Sequence, residues 1–375
     1  MKANAIIIRV TFAATCLVVF AAVTVFSQTS TNQQTGRPLN MLVLGDSILW
    51  GQGLKTEHKS WYHVKVWLEK TTGRAVIEKV EAHSGAIIER SSAPESLPTP
   101  NPEVDVALPT LNEELDNAER FYSDRSGIDV VLVSGCANDV GTQNLLNATA
   151  TEEIDEMTKA KCGLPMEKLL CRITTSFPAA RVIVTGYYPF FSEQTRNDFI
   201  LKALVRRFLQ IIPGTPTLSS KELLERLTAN SNAWYQASNN ALSQAVRNVN
   251  SGLHREQVMF AKIEFSPEHS FAAPQSRLWQ FNRSPFRMVL VLLSFGKILL
   301  PTNDEVRKQR SASCSEFFKR QPSETYAQKK EREQRRMLCR YAALGHPNRK
   351  GALLYADAIL KLLKTPSTVT ASSSP

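Results

Sequence analysis

No GxSxG, Walker A or HExxH pattern occurs anywhere in the 375-residue chain. That removes the signatures of the strained serine elbow, the phosphate-binding loop and the helical zinc site. There is no CxxC, and His58, His63, His83, His254 and His269 show no ligand spacing, so neither a metal nor a cofactor is expected. Lys and Arg exceed Asp and Glu by 45 to 35, yet they form no single-sign block, and nucleic acid is not implied as a partner. The densest basic run, KKEREQRRMLCR at 329–340, is broken by Glu331 and Glu333 and reads as the solvated face of a helix. Long apolar runs are scarce as well. The uncharged stretch Met288 to Gly296 is too short to span a bilayer and reads as a buried helix or strand.

A hydrophobic content of 43% is enough for a full core. Lys2 and Arg9 precede an uncharged apolar run, Val10 to Phe26, which ends at Ser27. Residues 1–27 therefore read as a secretion signal, cut or kept as an anchor, with a linker over 28–38; membrane contact is expected only if that segment is retained. The body is expected to be secreted or extracytoplasmic. Export fits the cysteines, since Cys16 leaves with the signal and five remain. Cys314 and Cys339 bracket a polar, helix-prone segment and form the first-choice disulfide. Cys136 with Cys162 is the second, and Cys171 reads as a core thiol in an amphipathic helix.

Five β-rich runs, 41–46, 75–83, 128–135, 180–188 and 256–265, alternate with helical stretches at 60–72, 152–177 and 220–250. Such alternation predicts an α/β fold built on a central parallel sheet. A last helix repeats apolar residues at Leu353, Leu354, Ala358, Ile359, Leu362 and Leu363, spaced to pack on the sheet. Two long insertions interrupt the pattern: a proline-rich loop at 91–109 and residues 266–345. Both are expected to line the cleft. The tail, 366–375, reads as disordered.

Ligands of open α/β sheets sit beyond the carboxyl ends of the strands. Ser47 follows the first strand in LNMLVLGDSILWGQGL, Gly85 follows the second in HSGA, and Asn138 follows the third in GCANDVG. His346, in GHPNRKG, opens the last helix. Gly45-Asp46-Ser47, Gly85, Asn138-Asp139 and His346, in this order, resemble the four blocks of the SGNH (GDSL) hydrolase superfamily, named for its Ser, Gly, Asn and His. The resemblance covers 39–263 and 340–364. It implies a flavodoxin-like three-layer SGNH hydrolase domain over 39–365, with Ser47 as nucleophile and His346 as general base. The oxyanion hole would be the Ser47 and Gly85 main-chain N–H groups with the Asn138 amide. Asp46 and Asp139 are expected to hold loops by accepting backbone N–H groups.

Two positions depart from the family pattern. Gly135-Cys136-Ala137-Asn138-Asp139 carries one residue more than the usual Gly-x-Asn-Asp, and the Asp that usually stands three residues before the histidine is Ala343 here. A Ser-His dyad, a triad with its acid from another segment, and a degenerate enzyme all remain open at this point. The expected function is a serine esterase acting on an acyl ester, either a carbohydrate acetyl group or a short acyl chain. The alternatives are a non-catalytic protein that binds a glycan or ester, and a lysophospholipase or thioesterase.

Overall fold

The computed structural model describes residues 36–90, 100–141, 144, 151–198, 219–286, 289, 293 and 300–365. The signal segment, most of the linker and the tail lie outside them. Five strands, β1 (Leu39–Gly45), β2 (Val76–Val80), β3 (Ile128–Ser134), β4 (Arg181–Thr185) and β5 (Val258–Ala261), form one sheet in the order β2-β1-β3-β4-β5, all pairs parallel. This is the flavodoxin-like winding, whose direction reverses between β1 and β3. β1 and β3 occupy the centre, and nearly every residue of either is buried, because helices cover both faces of a parallel sheet.

The helices are α1 (Ser47–Trp50), α2 (Ser60–Thr72), α3 (Leu111–Phe121), α4 (Ala137–Val140), α5 (Thr151–Thr158), α6 (Leu164–Ser176), α7 (Ser220–Leu253), α8 (Arg307–Phe317), α9 (Tyr326–Tyr341) and α10 (Arg349–Lys364). α2 and α10 pack on each other, while α7 packs on α5 and α6, and α6 on α3, so the sheet is flanked by two helical groups. Trp61 is buried on α2, and Tyr62 and Trp67 pack partly buried against the core.

β4 and β5 are shorter than the apolar runs that predict them. Pairing covers only Val182–Thr185 with Val258–Ala261. Beyond the ladder the side chains pack as a layer of rings, with Tyr188 stacked on Phe265 at 4.9 Å between centroids. The predicted helix at 152–177 is divided by a π-helical turn, Lys159–Gly163, where Cys162 is bridged to Cys136 and Pro165 follows without an N–H. Cys314 and Cys339 form the second disulfide, joining α8 to α9.

Three expectations are corrected. Cys171 is a free thiol on the exposed side of α6, since Leu169, Leu170 and Ile173 take the buried positions around it. Leu353 is 44% exposed: α10 turns Ala352, Ala356 and Ile359 inward instead. Within Met288–Gly296 only Val289 and Leu293 are described, and they are 51% and 72% exposed rather than buried.

Candidate active site

β1 ends on Gly45, whose φ is +140°, and a Cβ there would fall 2.4 Å from the Ser134 carbonyl oxygen. Only glycine lets the chain turn so close to β3. Its N–H donates to Glu114 Oε2 at 2.6 Å. Asp46 caps α1 by accepting the Ile48 N–H at 3.0 Å, and it also accepts the Ser134 hydroxyl at 2.7 Å and the Tyr187 hydroxyl at 2.5 Å. Burial raises the Asp46 pKa, and these three donors oppose the rise. Ser47 is thus the first residue of a short helix whose entry is fixed on every side.

The Ser47 hydroxyl oxygen lies 2.7 Å from His346 Nε2, across 299 residues of chain. The histidine loop is held by main-chain bonds to the segment around Trp279: Trp279 N–H donates to the His346 carbonyl at 2.7 Å, and Gly345 N–H donates to the Trp279 carbonyl at 3.0 Å. The Tyr188 hydroxyl donates to the Gly345 carbonyl at 2.8 Å. Asn348 closes the loop as the cap of α10, accepting the N–H groups of Lys350 and Gly351.

Burial first and the Arg310 guanidinium second bring the His346 imidazole down to about 4, against the opposing effect of the carbonyls of Ala342, Leu344 and Ala343. Even so, His346 Nδ1 is buried with no acceptor. No carboxylate stands at the usual place, where Ala343 is fully buried beside Leu54, Trp279 and Ala352.

Gly85 has φ +85°, and a Cβ on it would meet the Val106 backbone at 2.6 Å. Asn138 donates one amide N–H to the Ala86 carbonyl at 3.0 Å, which ties the end of β3 to the Gly85 turn. The His83 N–H donates to the Gly45 carbonyl at 2.8 Å and ties the same turn to the end of β1. Among the described residues no protein acceptor takes the N–H of Ser47 or Gly85. Asp139 accepts the Ile88 N–H at 2.9 Å, a loop-holding bond of the expected kind, and burial pushes its carboxyl up to about 7. The extra residue before Asn138 is absorbed outside the strand. β3 stops at Ser134, and Gly135-Cys136 makes the turn, with Cys136 at φ +137° and bridged to Cys162.

Sequence reasoning passes over a second, ionic layer behind these groups. Arg310 is fully buried and donates to both Asp304 oxygens at 2.8 and 2.7 Å, while reaching Glu103 at 3.4 Å. Glu103 in turn accepts the Trp50 indole N–H at 2.9 Å, and its carbonyl accepts from the Gln52 amide at 3.1 Å. Lys59 sits 3.1 Å above the Trp50 ring, and its burial brings the amine down to about 7. The helix bearing Ser47, the loop that walls Gly85 and the insertion that leads to His346 are therefore joined by one buried network. Among the described residues no three His, Cys, Asp or Glu side chains converge in a way that could hold a metal ion.

The profile of the GDSL-like Lipase/Acylhydrolase family matches residues 43–280. No curated protein matches. Solved structures similar to this chain include phospholipase A1 from Streptomyces albidoflavus, at 15% identity over 66% of this chain and 89% of that one, with a TM-score of 0.41. An extracellular lipase from Streptomyces rimosus is similar at 15% identity over 64% and 88%, TM-score 0.40. A carbohydrate esterase family 2 enzyme from Corynascus thermopiles (Myceliophthora fergusii) follows at 16% over 64% and 61%, TM-score 0.35.

Proposed function

The chain belongs to the GDSL-like Lipase/Acylhydrolase family and is a carboxylic ester hydrolase, and from that premise we propose that Ser47 and His346 carry the reaction as a dyad, on an acyl ester of a carbohydrate or a short acyl chain. The observation that carries this reading is the 2.7 Å approach of Ser47 Oγ to His346 Nε2. With the proton on Nδ1, Nε2 accepts the Ser47 hydroxyl proton as the oxygen attacks the acyl carbon. The N–H groups of Ser47 and Gly85 and the second amide N–H of Asn138 receive the developing oxyanion, at no cost of breaking an existing bond. Nε2 then returns the proton to the departing alcohol, and water repeats the sequence to free the acid.

The main-chain carbonyls of Ala342, Ala343 and Leu344 supply negative partial charge that supports the protonated imidazole. A dyad of this kind is expected to be slower than a triad with a buried carboxylate. Secretion fits two cystine bridges in a chain of this size. Turnover of p-nitrophenyl esters of increasing acyl length tests the reading and ranks acetyl against longer chains. Loss of hydrolysis in Ser47→Ala is the required result, and wild-type rates in that variant would exclude the serine mechanism.

A further inference from the structure

α8 and α9, stapled by Cys314–Cys339, enclose a groove of about 490 Å³ on the insertion that carries the histidine loop. Arg307 and Lys308 face it from α8, and Arg336 and Arg340, one helical turn apart, face it from α9. Glu333 is the single carboxylate in its lining. Several neighbouring cations of the insertion are paired: Arg332 with Glu324, Arg335 with Glu331, Lys319 with Glu316, and Arg310 with Asp304. Glu333 itself is turned toward Arg332, at 3.9 Å. Among the described residues none of the four groove cations makes an ion pair. Four like charges gathered on two helices that a disulfide holds together repel one another.

The groove wall is also fixed in place. Arg310 donates to Thr302 Oγ1 and to the Arg340 carbonyl, both at 3.3 Å, so two lining residues are pinned to a fully buried ion pair. Its volume is that of a small-ligand site rather than of a surface that tracks a polymer. We propose that this groove binds a tetrahedral oxyanion, a phosphate or sulfate group, between Arg307, Lys308, Arg336 and Arg340. Guanidinium forks present paired N–H donors. A tetrahedral anion has enough oxygens to accept from both helices at once, whereas a carboxylate with two oxygens serves one wall. Arg340 stands six residues before His346 in the chain, so a group held here sits on the segment that leads directly into the histidine loop.

Phosphate titration into the full chain, by calorimetry at constant ionic strength set with chloride, tests the site. Wild type should bind phosphate saturably, and Arg307→Gln/Arg336→Gln should weaken it by about tenfold or more. Arg340→Gln alone, a milder change, should weaken it in the same direction. Arg335→Gln, whose side chain is paired with Glu331 outside the groove, should bind as wild type does. No phosphate binding above chloride, or undiminished binding in a double variant with native near-UV circular dichroism, would overturn the proposal.

A second arm, resting on the esterase reading, separates a free ion from a group carried by the substrate. A phosphate-bearing short-chain ester and its neutral twin are compared in wild type and the double variant. If the group belongs to the substrate, KM for the phosphate ester rises about tenfold more than KM for the twin. Equal changes identify a free ion as the occupant. Should wild type hydrolyse neither ester, the esterase reading fails while the phosphate titration still decides the groove.

Discussion

Restoring a carboxylate at position 343 tests the logic of the site most directly. Two buried donors near that position lack acceptors, His346 Nδ1 and Trp279 Nε1. A Cβ built on Gly53 would come 2.8 Å from the Ala343 methyl and 2.9 Å from Trp279 Nε1, which places the indole nitrogen beside the methyl. An Asp side chain there would meet an N–H from each ring. An opposite charge at that range raises the pKa of an imidazole by about one to three units. In Ala343→Asp the acid limb of kcat/KM should therefore move upward by that amount from the wild-type value near about 4.

The sign follows from the base being the neutral form: activity falls as pH drops through the histidine pKa, and a higher pKa moves the fall to higher pH. The same interaction stabilises the imidazolium that forms as Ser47 attacks. Each unit is worth about tenfold, so kcat on the alkaline plateau should rise by about 10 to 1000-fold, below the roughly 10⁴ lost when a triad carboxylate is neutralised. Overpacking a full site should cost about 1–3 kcal/mol of stability. Ala343→Asn supplies similar volume without charge and should show the stability loss with no shift of the limb. Rates on p-nitrophenyl acetate over roughly pH 3 to 9, with thermal melts alongside, give both quantities. A folded Ala343→Asp with its limb still near 4 and an unchanged kcat would refute the account of His346 as a base short of a partner.

Other expectations are simpler. Ser47→Ala and His346→Ala should each abolish measurable hydrolysis, because nucleophile and base act as a unit, and active-site titration with a fluorophosphonate should fail in the first. Asn138→Ala should lower kcat by about 10²–10³-fold with little change in KM, the signature of an oxyanion donor. Removing the Cys314–Cys339 bridge by serine substitution should cost about 3 kcal/mol, read from urea unfolding, whereas Cys171 should alkylate in the native protein without reduction. Arg310→Met leaves Asp304 and Glu103 buried without their cation and should destabilise by about 3–5 kcal/mol in the same assay.

How much of this was legible in the sequence depends on the range over which each feature is encoded. The strand cores and the helix at 60–72 are local: an apolar run between turn residues reports burial on both faces, and the observed α2 has the same bounds. Ser47, Gly85, Asn138 and His346 stand out as candidates through the resemblance to the four SGNH blocks in order, and the first three follow strands, where a parallel sheet exposes its ends. The apolar runs of β4 and β5 overshoot the strands because apolar content is shared by strands and by the ring-packed segments after them. The sequence pattern predicts neither α3 nor α8. α8 is largely polar, and its stability comes from Arg310 and Cys314, whose partners Asp304, Glu103 and Cys339 lie on other segments.

The ion network has no sequence signature, since Arg310 and Glu103 stand 207 residues apart and each alone looks like a surface charge. Its consequence is nevertheless central to the site. The loop walling Gly85 and the helix bearing Ser47 are fastened through Glu103 to an arginine on the insertion, and that insertion leads through α9 into the histidine loop. Ser47, the Gly85 turn and His346 thus share one buried anchor. The same guanidinium lowers the basicity of His346, so the residue that fixes the geometry also depresses the base. An anchor without charge could hold the three segments without that effect, but Asp304 and Glu103 would then be left as buried carboxylates with no cation. The arginine is therefore tied to its two acids, and its lowering of the histidine, which adds to the larger effect of burial, comes with the way the insertion is fastened to the sheet.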